Sequence, residues 1–445
     1  SVGAGTVLSP FGGKHQCTPV DAMVATLPFL EGQTKICTHM SWGFNANIAT
    51  WSPYHGAAYA VTESVCRAVA SGARLSEIRL TLQEYFPKLG DDSSRWGLPF
   101  AALLGAFKAQ HELRLGAIGG KDSMSGTFND IDVPPTLVSF ALAPGNTKHV
   151  VSPEFKEVNS LISFIEVPRD ENQLPDFRAL KEIADTLHGA NILAAHTLDH
   201  GGIATGLSKM AFGNGIGASI KTDINLHQER FLSFLIESKE EITGGIVIGK
   251  TQIEPTIQVG SDALKLGELY DAWTNPLSEI YPETADPSTS EADTFKSTFE
   301  AKHSTTKSQN PKVIIPAFPG TNSEYDSAKA FREAGALAEI QIFRNLTPQA
   351  VEESLADLAE SIRKSQILML PGGFSAGDEP AGSGKFIATI LRSPEVADAV
   401  MDLLKNRDGL ILGICNGFQA LIKTGLVPYG EIREPKPRAP TLTFH

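Results

Sequence analysis

The sequence has few cysteines and no long apolar run. Its 445 residues contain four cysteines, which are scattered and form no CxxC pair. A disulfide framework and a zinc site are therefore not indicated, and this usage fits a reducing cytoplasm, where we place the protein. No segment approaches the length of continuous apolar sequence that a membrane-spanning helix needs.

Basic residues are outnumbered by acidic ones. The chain has 38 Lys and Arg against 51 Asp and Glu, a formal net charge of −13. Surfaces for nucleic acid or anionic membranes need clustered Lys and Arg, so we expect neither as a partner. A phosphate-bearing ligand would have to be held locally by Mg²⁺, backbone amides and a few Lys.

The length and the 42% of hydrophobic residues predict several domains. Residues 276–310 are typical of a linker, with prolines followed by a Ser/Thr/Glu/Lys-rich stretch. A smaller break is predicted near Ala143–Asn146. We therefore expect two α+β domains, a linker and an α/β domain, which cover 1–145, 146–275, 276–310 and 311–445.

Short apolar strands alternate with helices after the linker. This pattern predicts a doubly wound parallel sheet, in which ligands bind at the carboxyl ends of the strands. The helix that begins at Pro348 has apolar residues at the helical period. The expected strands are Val313–Phe318, Ile340–Phe343, Ile367–Leu370 and Leu410–Ile414.

Cys415 follows the last of these strands and precedes a helical pattern. With Gly413 and Gly417 on either side, this arrangement is typical of a turn that presents a nucleophile. The start of a helix favours a reactive thiolate. A buried structural thiol is the alternative, but we predict Cys415 as the catalytic residue. A thiol nucleophile needs a His base, and His445 is the only His that follows it.

A second glycine turn, Pro371–Asp378, follows the strand at Ile367–Leu370. Neighbouring strand ends in a doubly wound sheet would bring this turn near Cys415. The N–H groups of Gly373, Phe374 and Asn416 could then form an oxyanion hole for a thioester-forming reaction.

The densest motif of the first half is Gly119–Ser123. Its glycines allow close backbone approach and Lys121 supplies a charge, so it could cradle a phosphate. It is not a P-loop, because Asp122 stands where Ser or Thr is needed. A polar turn between a helix and a strand is the alternative.

Asp21 and Glu63 lie in apolar surroundings, and carboxylates of this kind suit hard cations such as Mg²⁺. For Glu63 the alternative is an ion pair with Arg67, four residues further on. His196 and His200 share the spacing of a helical zinc pair, but the glycines at 201 and 202 favour a turn instead.

At these motifs the sequence resembles a known family. Gly413–Gln419 and Pro371–Asp378 resemble the class I glutamine amidotransferases, and Pro319–Ser323 is similar to a turn in one member. Residues 1–275 resemble the second synthetase half of that member, the phosphoribosylformylglycinamidine synthases of the large, fused type. The most specific matches of this half are Gly119–Ser125, Leu82–Phe86 and Pro134–Phe140.

The resemblance implies a fold and a reaction. The fold is an α+β unit of the aminoimidazole-ribonucleotide-synthetase type, with a ferredoxin-like or half-barrel first domain, followed by a flavodoxin-like glutaminase domain. The reaction is a ligase step of purine biosynthesis in the cytoplasm. Glutamine is hydrolysed through a thioester on the cysteine, and the ammonia displaces phosphate from ATP-activated formylglycinamide ribonucleotide.

The resemblance also implies ATP, or a structural ADP, with Mg²⁺. Asp21 and Glu63 would be the metal ligands. The nucleotide-binding residues would be Gly119, Gly120, Lys121, Asp122, Ser123 and Asp199.

The sequence departs from the family pattern in places. Arg67 stands where a metal-ligating Asn is expected, and Thr197, Asp199 and His200 replace other site residues. Arg67 could take the place of a cation. The family's catalytic His and Glu would lie beyond residue 445, so we expect a fragment with an incomplete glutaminase. Its missing partners would be the first synthetase half and the rest of the glutaminase.

Two other functions remain open. The chain could be a stand-alone ATP-dependent phosphotransferase of the same superfamily. It could also be a non-catalytic scaffold half that binds nucleotide.

Overall fold

The computed structural model describes residues 3, 5–282, 309–375, 384–434, 436 and 439–440. The chain divides into two compact units, the first with residues 5–29 and 33–282 and the second with the described residues from 309 onward. Most of the predicted linker lies outside the described residues. No helix among the described residues is long and apolar enough to cross a membrane.

The first half of the first unit is a mixed sheet flanked by helices. The sheet has the strand order β1-β4-β5-β10-β6-β7. The strands are β1 (Thr6–Leu8), β2 (Phe11–Gly12), β3 (Thr18–Pro19), β4 (Met23–Thr26), β5 (Ile36–Gly43), β6 (Arg79–Tyr85), β7 (Ala117–Ser123), β8 (Thr127–Phe128), β9 (Ile131–Asp132) and β10 (Thr136–Asn146). The helices are α1 (Ala46–Trp51), α2 (Pro53–Ala70) and α3 (Ser93–Leu113).

A second mixed sheet follows in the same unit, with the order β12-β14-β11-β15-β13-β16-β17. Its strands are β11 (Leu161–Ile165), β12 (Ile192–Thr197), β13 (Gly217–Ile220), β14 (Phe234–Ser238), β15 (Ile246–Gln252), β16 (Thr256–Val259) and β17 (Asp262–Lys265). The helices are α4 (Phe177–Gly189), α5 (Gly202–Phe212) and α6 (Leu266–Thr274).

One hydrophobic core joins these two parts. It contains Val61 and Val65 of α2, Leu80 of β6, Leu180 of α4 and Phe234 of β14, all almost completely buried. The predicted break at 143–146 is not a break in secondary structure, because β10 continues to Asn146 and pairs there with β5. A Pro can stand in such a strand where its missing N–H is not needed for pairing. The domain boundary at 145 stays a prediction.

The second unit is an α/β domain with a parallel sheet, as expected from the sequence. Its four strands have the order β19-β18-β20-β21 and pair in parallel throughout. The strands are β18 (Lys312–Ala317), β19 (Leu337–Ile342), β20 (Ile367–Leu370) and β21 (Leu410–Gly413). The helices are α7 (Glu324–Glu333), α8 (Pro348–Lys364), α9 (Lys385–Leu391), α10 (Pro394–Lys405), α11 (Asn416–Thr424) and α12 (Leu426–Tyr429).

Local sequence explains why these elements form where they do. The Thr347 hydroxyl accepts a hydrogen bond from the Ala350 N–H, and Pro348 follows as the first residue of α8. The face of α8 that carries Leu358 and Ile362 is buried in the core of the unit. Because chain order reverses between β18 and β20, the turns after these strands meet at the edge where doubly wound folds bind ligands.

Candidate functional site

Cys415 lies in a strained turn between β21 and α11. Its backbone has φ 51° and ψ −107°, a conformation that is costly for a residue with a side chain. The thiol is exposed, whereas Cys37 and Cys66 are buried. The structure therefore presents the Cys415 thiol to solvent at the start of a helix, as a nucleophile requires.

The flanking glycines allow the strand and the helix to approach closely. A Cβ added at Gly413 would lie 2.6 Å from Leu421 Cδ1, and one at Gly417 would lie 2.1 Å from the Leu370 oxygen. Real Cβ atoms do not approach other atoms this closely, so both positions require glycine.

The second glycine turn lies beside Cys415. A Cβ built on Gly372 would be 3.4 Å from Cys415 Cβ. The Ser375 N–H donates to Asn416 Oδ1 at 3.3 Å, and Asn416 is buried. The expected proximity of the two turns is thus present in the structure, although Ala376, Gly377 and Asp378 lie outside the described residues.

The three predicted oxyanion donors differ in what they already bind. The Phe374 N–H donates to the Gly320 carbonyl at 2.8 Å. That bond and the one from Asn322 N–H to the Gly372 carbonyl (2.9 Å) form a short antiparallel bridge, which does not use the Gly373 N–H. The Asn416 N–H begins α11, where helix N–H groups have no acceptor in the helix. Gly373 and Asn416 are therefore the better-placed donors, and all three roles stay predictions.

No histidine that could serve as a base for Cys415 lies in the described part of this unit. The sequence contains no histidine from residue 309 to residue 440. His445, the only histidine after the cysteine, lies outside the described residues.

The stretch Gly119–Ser123 is neither a loop nor a turn. It lies in β7, an edge strand that pairs in parallel with β6. Its residues are mostly exposed, and within the described part of the chain Lys121 Nζ donates to the Asp122 carbonyl alone, at 3.1 Å. The polar-turn alternative was wrong, because tertiary pairing with β6 extends a glycine-rich segment that has little strand propensity of its own. The phosphate-binding role stays a prediction.

Lys121 and Asp21 are well separated along the first sheet, and their joint role at a nucleotide site stays a prediction. Asp21 precedes β4, and the strands β5, β10 and β6 lie between β4 and β7. At the usual spacing of neighbouring strands, this separates the two positions by about 19 Å along the sheet.

Asp21 and Glu63 are held by protein donors. Asp21 accepts from His196 Nδ1 at 2.8 Å and from the Thr197 N–H at 2.6 Å. Glu63 pairs with Arg67 Nη2 at 2.6 Å and accepts from the Phe44 N–H at 2.9 Å.

The pKa values of these two carboxyl groups shift in opposite directions. Burial raises the pKa of Asp21, but attraction to His196 and the hydrogen bonds outweigh burial, so the net shift is downward. Burial raises the pKa of Glu63 to about 7, although Arg67 opposes the shift.

The predicted magnesium ligands do not fit Mg²⁺. Their oxygens already accept from side chains and backbone of this chain, and a guanidinium lies beside Glu63. Among the described residues there is no group of three or more His, Cys, Asp or Glu that could hold a metal ion.

As the glycines at 201 and 202 indicated, His196 and His200 do not share a helix. His196 is in β12 and buried, whereas His200 lies in the turn that follows and is exposed. Asp199 pairs with Lys209 at 2.8 Å, and its role in nucleotide binding stays a prediction.

Sequence reasoning missed the partners that hold these groups. His196 and Lys209 were not assigned to Asp21 and Asp199. Asp21 and His196 are 175 residues apart, so no local spacing links them, whereas Asp199 and Lys209 are ten residues apart. The sequence did contain a signal for Gly320 and Asn322, which hold the turn after β20, because both lie just after the predicted strand Val313–Phe318.

Comparisons with known proteins identify the second unit. A family model described as "CobB/CobQ-like glutamine amidotransferase domain" matches residues 310–445. The phosphoribosylformylglycinamidine synthase subunit PurQ of Dehalococcoides mccartyi is 37% identical over 117 residues, which are 26% of this chain and 41% of that protein. The subunit PurQ of Methanococcus maripaludis is 37% identical over 126 residues, 27% of this chain and 42% of that protein. The chain thus spans less than half the length of these relatives.

Among solved structures, Thermotoga maritima PurL complexed with ADP matches 56% of this chain and 39% of its own, with 20% identity and a TM-score of 0.42. This likeness is too weak to support an argument about function. The family model and the PurQ relatives confirm the resemblance for the second unit: residues 310–445 match the CobB/CobQ-like glutamine amidotransferase domain, and this part of the chain is similar to PurQ subunits of phosphoribosylformylglycinamidine synthase.

Proposed function

We propose that Cys415 is the nucleophile that attacks the side-chain amide of glutamine. The strained backbone of Cys415, with φ 51° and an exposed thiol, carries this proposal. The glycine turn beside it supports the proposal, because it brings the Gly373 N–H to the same edge of the sheet. The amidotransferase family match adds the substrate class.

The chemistry is an acyl transfer in two steps. The thiolate adds to the amide carbon, the developing oxyanion is stabilised by N–H donors, and the C–N bond breaks to release ammonia as the nitrogen takes up a proton. Water then cleaves the thioester to glutamate. A base must move these protons, and no histidine between residues 309 and 440 is present to supply it.

The wider reaction belongs to the same proposal. We propose that the chain is part of a purine-pathway ligase that uses ATP and the released ammonia to convert formylglycinamide ribonucleotide into its amidine. The similarity to PurQ subunits supports this. The four free thiols support a cytoplasmic location.

Labelling with a glutamine-mimicking electrophile, such as an α-diazo ketone analogue, tests the nucleophile. We expect one adduct per chain at Cys415 by intact mass and peptide mapping, and none in Cys415→Ser. Cys17→Ser is the matched control, since Cys17 is the other cysteine that is not buried. Labelling at a different cysteine, or equal labelling of Cys415→Ser, would contradict the proposal.

We also propose that the first unit binds a nucleotide through Lys121. Lys121 stands on an exposed edge strand with its ammonium within hydrogen-bond reach of a backbone carbonyl only, so it is free to meet a phosphate. We expect Lys121→Met to weaken ADP binding in calorimetry by about tenfold, a typical loss for one charged hydrogen bond. Unchanged ADP affinity would remove Lys121 from the site. ATP turnover that is insensitive to Cys415→Ala and to glutamine would favour the stand-alone phosphotransferase.

The first sheet carries a row of exposed apolar side chains, which supports the proposal of a further polypeptide partner. Met23, Met40 and Leu142 lie opposite one another on β4, β5 and β10, and each is more than a third exposed. Contiguous exposed apolar residues of this kind mark interaction sites. We propose that the other synthetase half covers this row.

A further inference from the structure

Three carboxylates meet in the first unit although they come from different elements. Asp21 precedes β4, Glu63 is in α2 and Asp199 follows β12. The Thr197 N–H, two residues before Asp199, donates to Asp21 Oδ2 at 2.6 Å. Burial and, less strongly, the charges of Asp199 and Asp21 raise the pKa of Glu63, in keeping with this proximity. Clusters of carboxylates of this kind are what divalent hard cations bind.

Every carboxylate oxygen in this cluster nevertheless accepts a hydrogen bond from the chain itself. Asp21 is held by His196 Nδ1 and the Thr197 N–H, at 2.8 and 2.6 Å. Glu63 is held by Arg67 and the Phe44 N–H, at 2.6 and 2.9 Å.

Asp199 completes the pattern. Its two oxygens both accept from Lys209 Nζ, each at 2.8 Å. Each of the three carboxylates therefore has one basic side chain of its own, and a metal ion would have to displace these donors.

Arg67 is held firmly beside Glu63. It is 8% exposed, and its guanidinium lies 4.4 Å from the centroid of the Trp42 ring while Nη1 donates to the Trp42 carbonyl at 3.3 Å. It pairs with Glu63 and also lowers the pKa of Asp21 by its charge. A guanidinium held on three sides in this way cannot swing out to admit a divalent ion without losing all of these contacts.

We infer that Arg67 is the resident cation of this cluster, and that Asp21, Glu63 and Asp199 form a metal-independent structural element rather than a divalent cation site. The physical reason is that a divalent ion beside a buried guanidinium would meet strong repulsion in a poorly screened environment. Removing the guanidinium would leave buried carboxylate charge uncompensated, which is costly. The inference does not depend on the proposed reaction of Cys415.

The first experiment uses the unaltered protein. Thermal unfolding is followed in EDTA, in Mg²⁺ and in Mn²⁺, and Mn²⁺ binding is measured by calorimetry. We expect the same melting temperature within about 1 °C in all three conditions, since a ligand that does not bind the folded state does not stabilise it. Saturable Mn²⁺ binding that is lost in Asp21→Asn would overturn the inference.

The second experiment removes the guanidinium. Arg67→Asn should melt at a lower temperature, and Mn²⁺ should raise its melting temperature by about 3 °C or more, because the freed Glu63 carboxylate and the introduced amide oxygen can now bind the ion. Lys108→Asn is the matched control. It breaks another pair at i and i+4 in the same unit, Lys108 with Glu112 at 2.8 Å, but an exposed one, and it should not respond to Mn²⁺. A folded Arg67→Asn protein without any Mn²⁺ response would contradict the role given to Arg67. If that variant does not fold, the measurements on the unaltered protein still decide the question.

Discussion

Gly417 lies so close to Leu370 that a Cβ at this helical position would be 2.1 Å from the Leu370 oxygen. The first turn of α11 therefore lies against the carboxyl end of β20, the strand that leads into the second glycine turn. The Gly417 N–H also donates to the carbonyls of Pro371, at 3.2 Å, and Ile414, at 2.9 Å. This contact fixes the nucleophile relative to the turn that supplies the proposed oxyanion donors.

Gly417→Ala should move Cys415 out of position. The added methyl collides with backbone, which cannot yield as a flexible side chain can, so we expect a stability loss of about 1–3 kcal/mol, typical of overpacking. Labelling of Cys415 by the glutamine-mimicking electrophile should slow by at least about tenfold, as expected for a displaced reactive group. Rates of labelling and urea unfolding midpoints measure both effects.

Gly267→Ala is the control for this substitution. Gly267 is also helical, in α6, and a Cβ there meets nothing within 4 Å. That variant should be unchanged or more stable by about 1 kcal/mol from helix propensity. Equal behaviour of the two variants would show that the contact with Leu370 does not matter.

Asn416→Ala should loosen the second turn from Cys415. The Asn416 side chain accepts from the Ser375 N–H and donates from Nδ2 to Gln419 Oε1, both at 3.3 Å. Loss of such bonds costs about 1 kcal/mol, so we expect labelling of Cys415 to slow by about fivefold. The rate constant should be followed as a function of reagent concentration, to separate binding from reaction.

Gln419→Ala is the matched control for Asn416. It removes one of the two bonds but leaves the contact with Ser375 in place, so labelling should stay close to that of the unaltered chain. A Gln419→Ala variant as slow as Asn416→Ala would show that the contact between the two turns is not what positions the thiol.

His39 should make the first unit less stable in mild acid. It is fully buried, and burial lowers its pKa from 6.5 to about 4. As pH falls from about 6.5 toward 4, the unfolded chain binds a proton that the folded chain does not, so stability is lost over this range. The loss is at most about 3 kcal/mol by pH 4.

Urea unfolding midpoints between pH 4 and 7.5 measure this effect. His39→Gln should show a weaker decline in acid, because it removes the group that titrates. His188→Gln is the control, since His188 is exposed and should leave the decline unchanged. An identical pH dependence in both variants and the unaltered chain would exclude His39 as the cause.

The second unit was the more predictable part of the chain. The strand at Ile367–Leu370 has the predicted bounds, and the helix after Thr347 begins at Pro348 as expected. Short apolar strands, a capping residue and a Pro in the first helical turn are local signals, so they can be read from neighbouring residues. The strand β10 was harder, because Pro144 and Gly145 resemble a break unless the pairing with β5 is known.

The sequence by itself determined the turn at Cys415. Glycine is required at positions 413 and 417 because the backbone makes close contacts in and around the turn. The spacing of these glycines about Cys415 therefore already predicts a strand, a turn that carries the thiol, and a helix. Only the tertiary structure decided the charge cluster of the first unit. Asp21 and His196 are 175 residues apart in the chain, and their hydrogen bond exists because two sheets pack into one unit. What a carboxylate binds depends on which cation lies next to it in the folded protein, and no local sequence pattern gives that information.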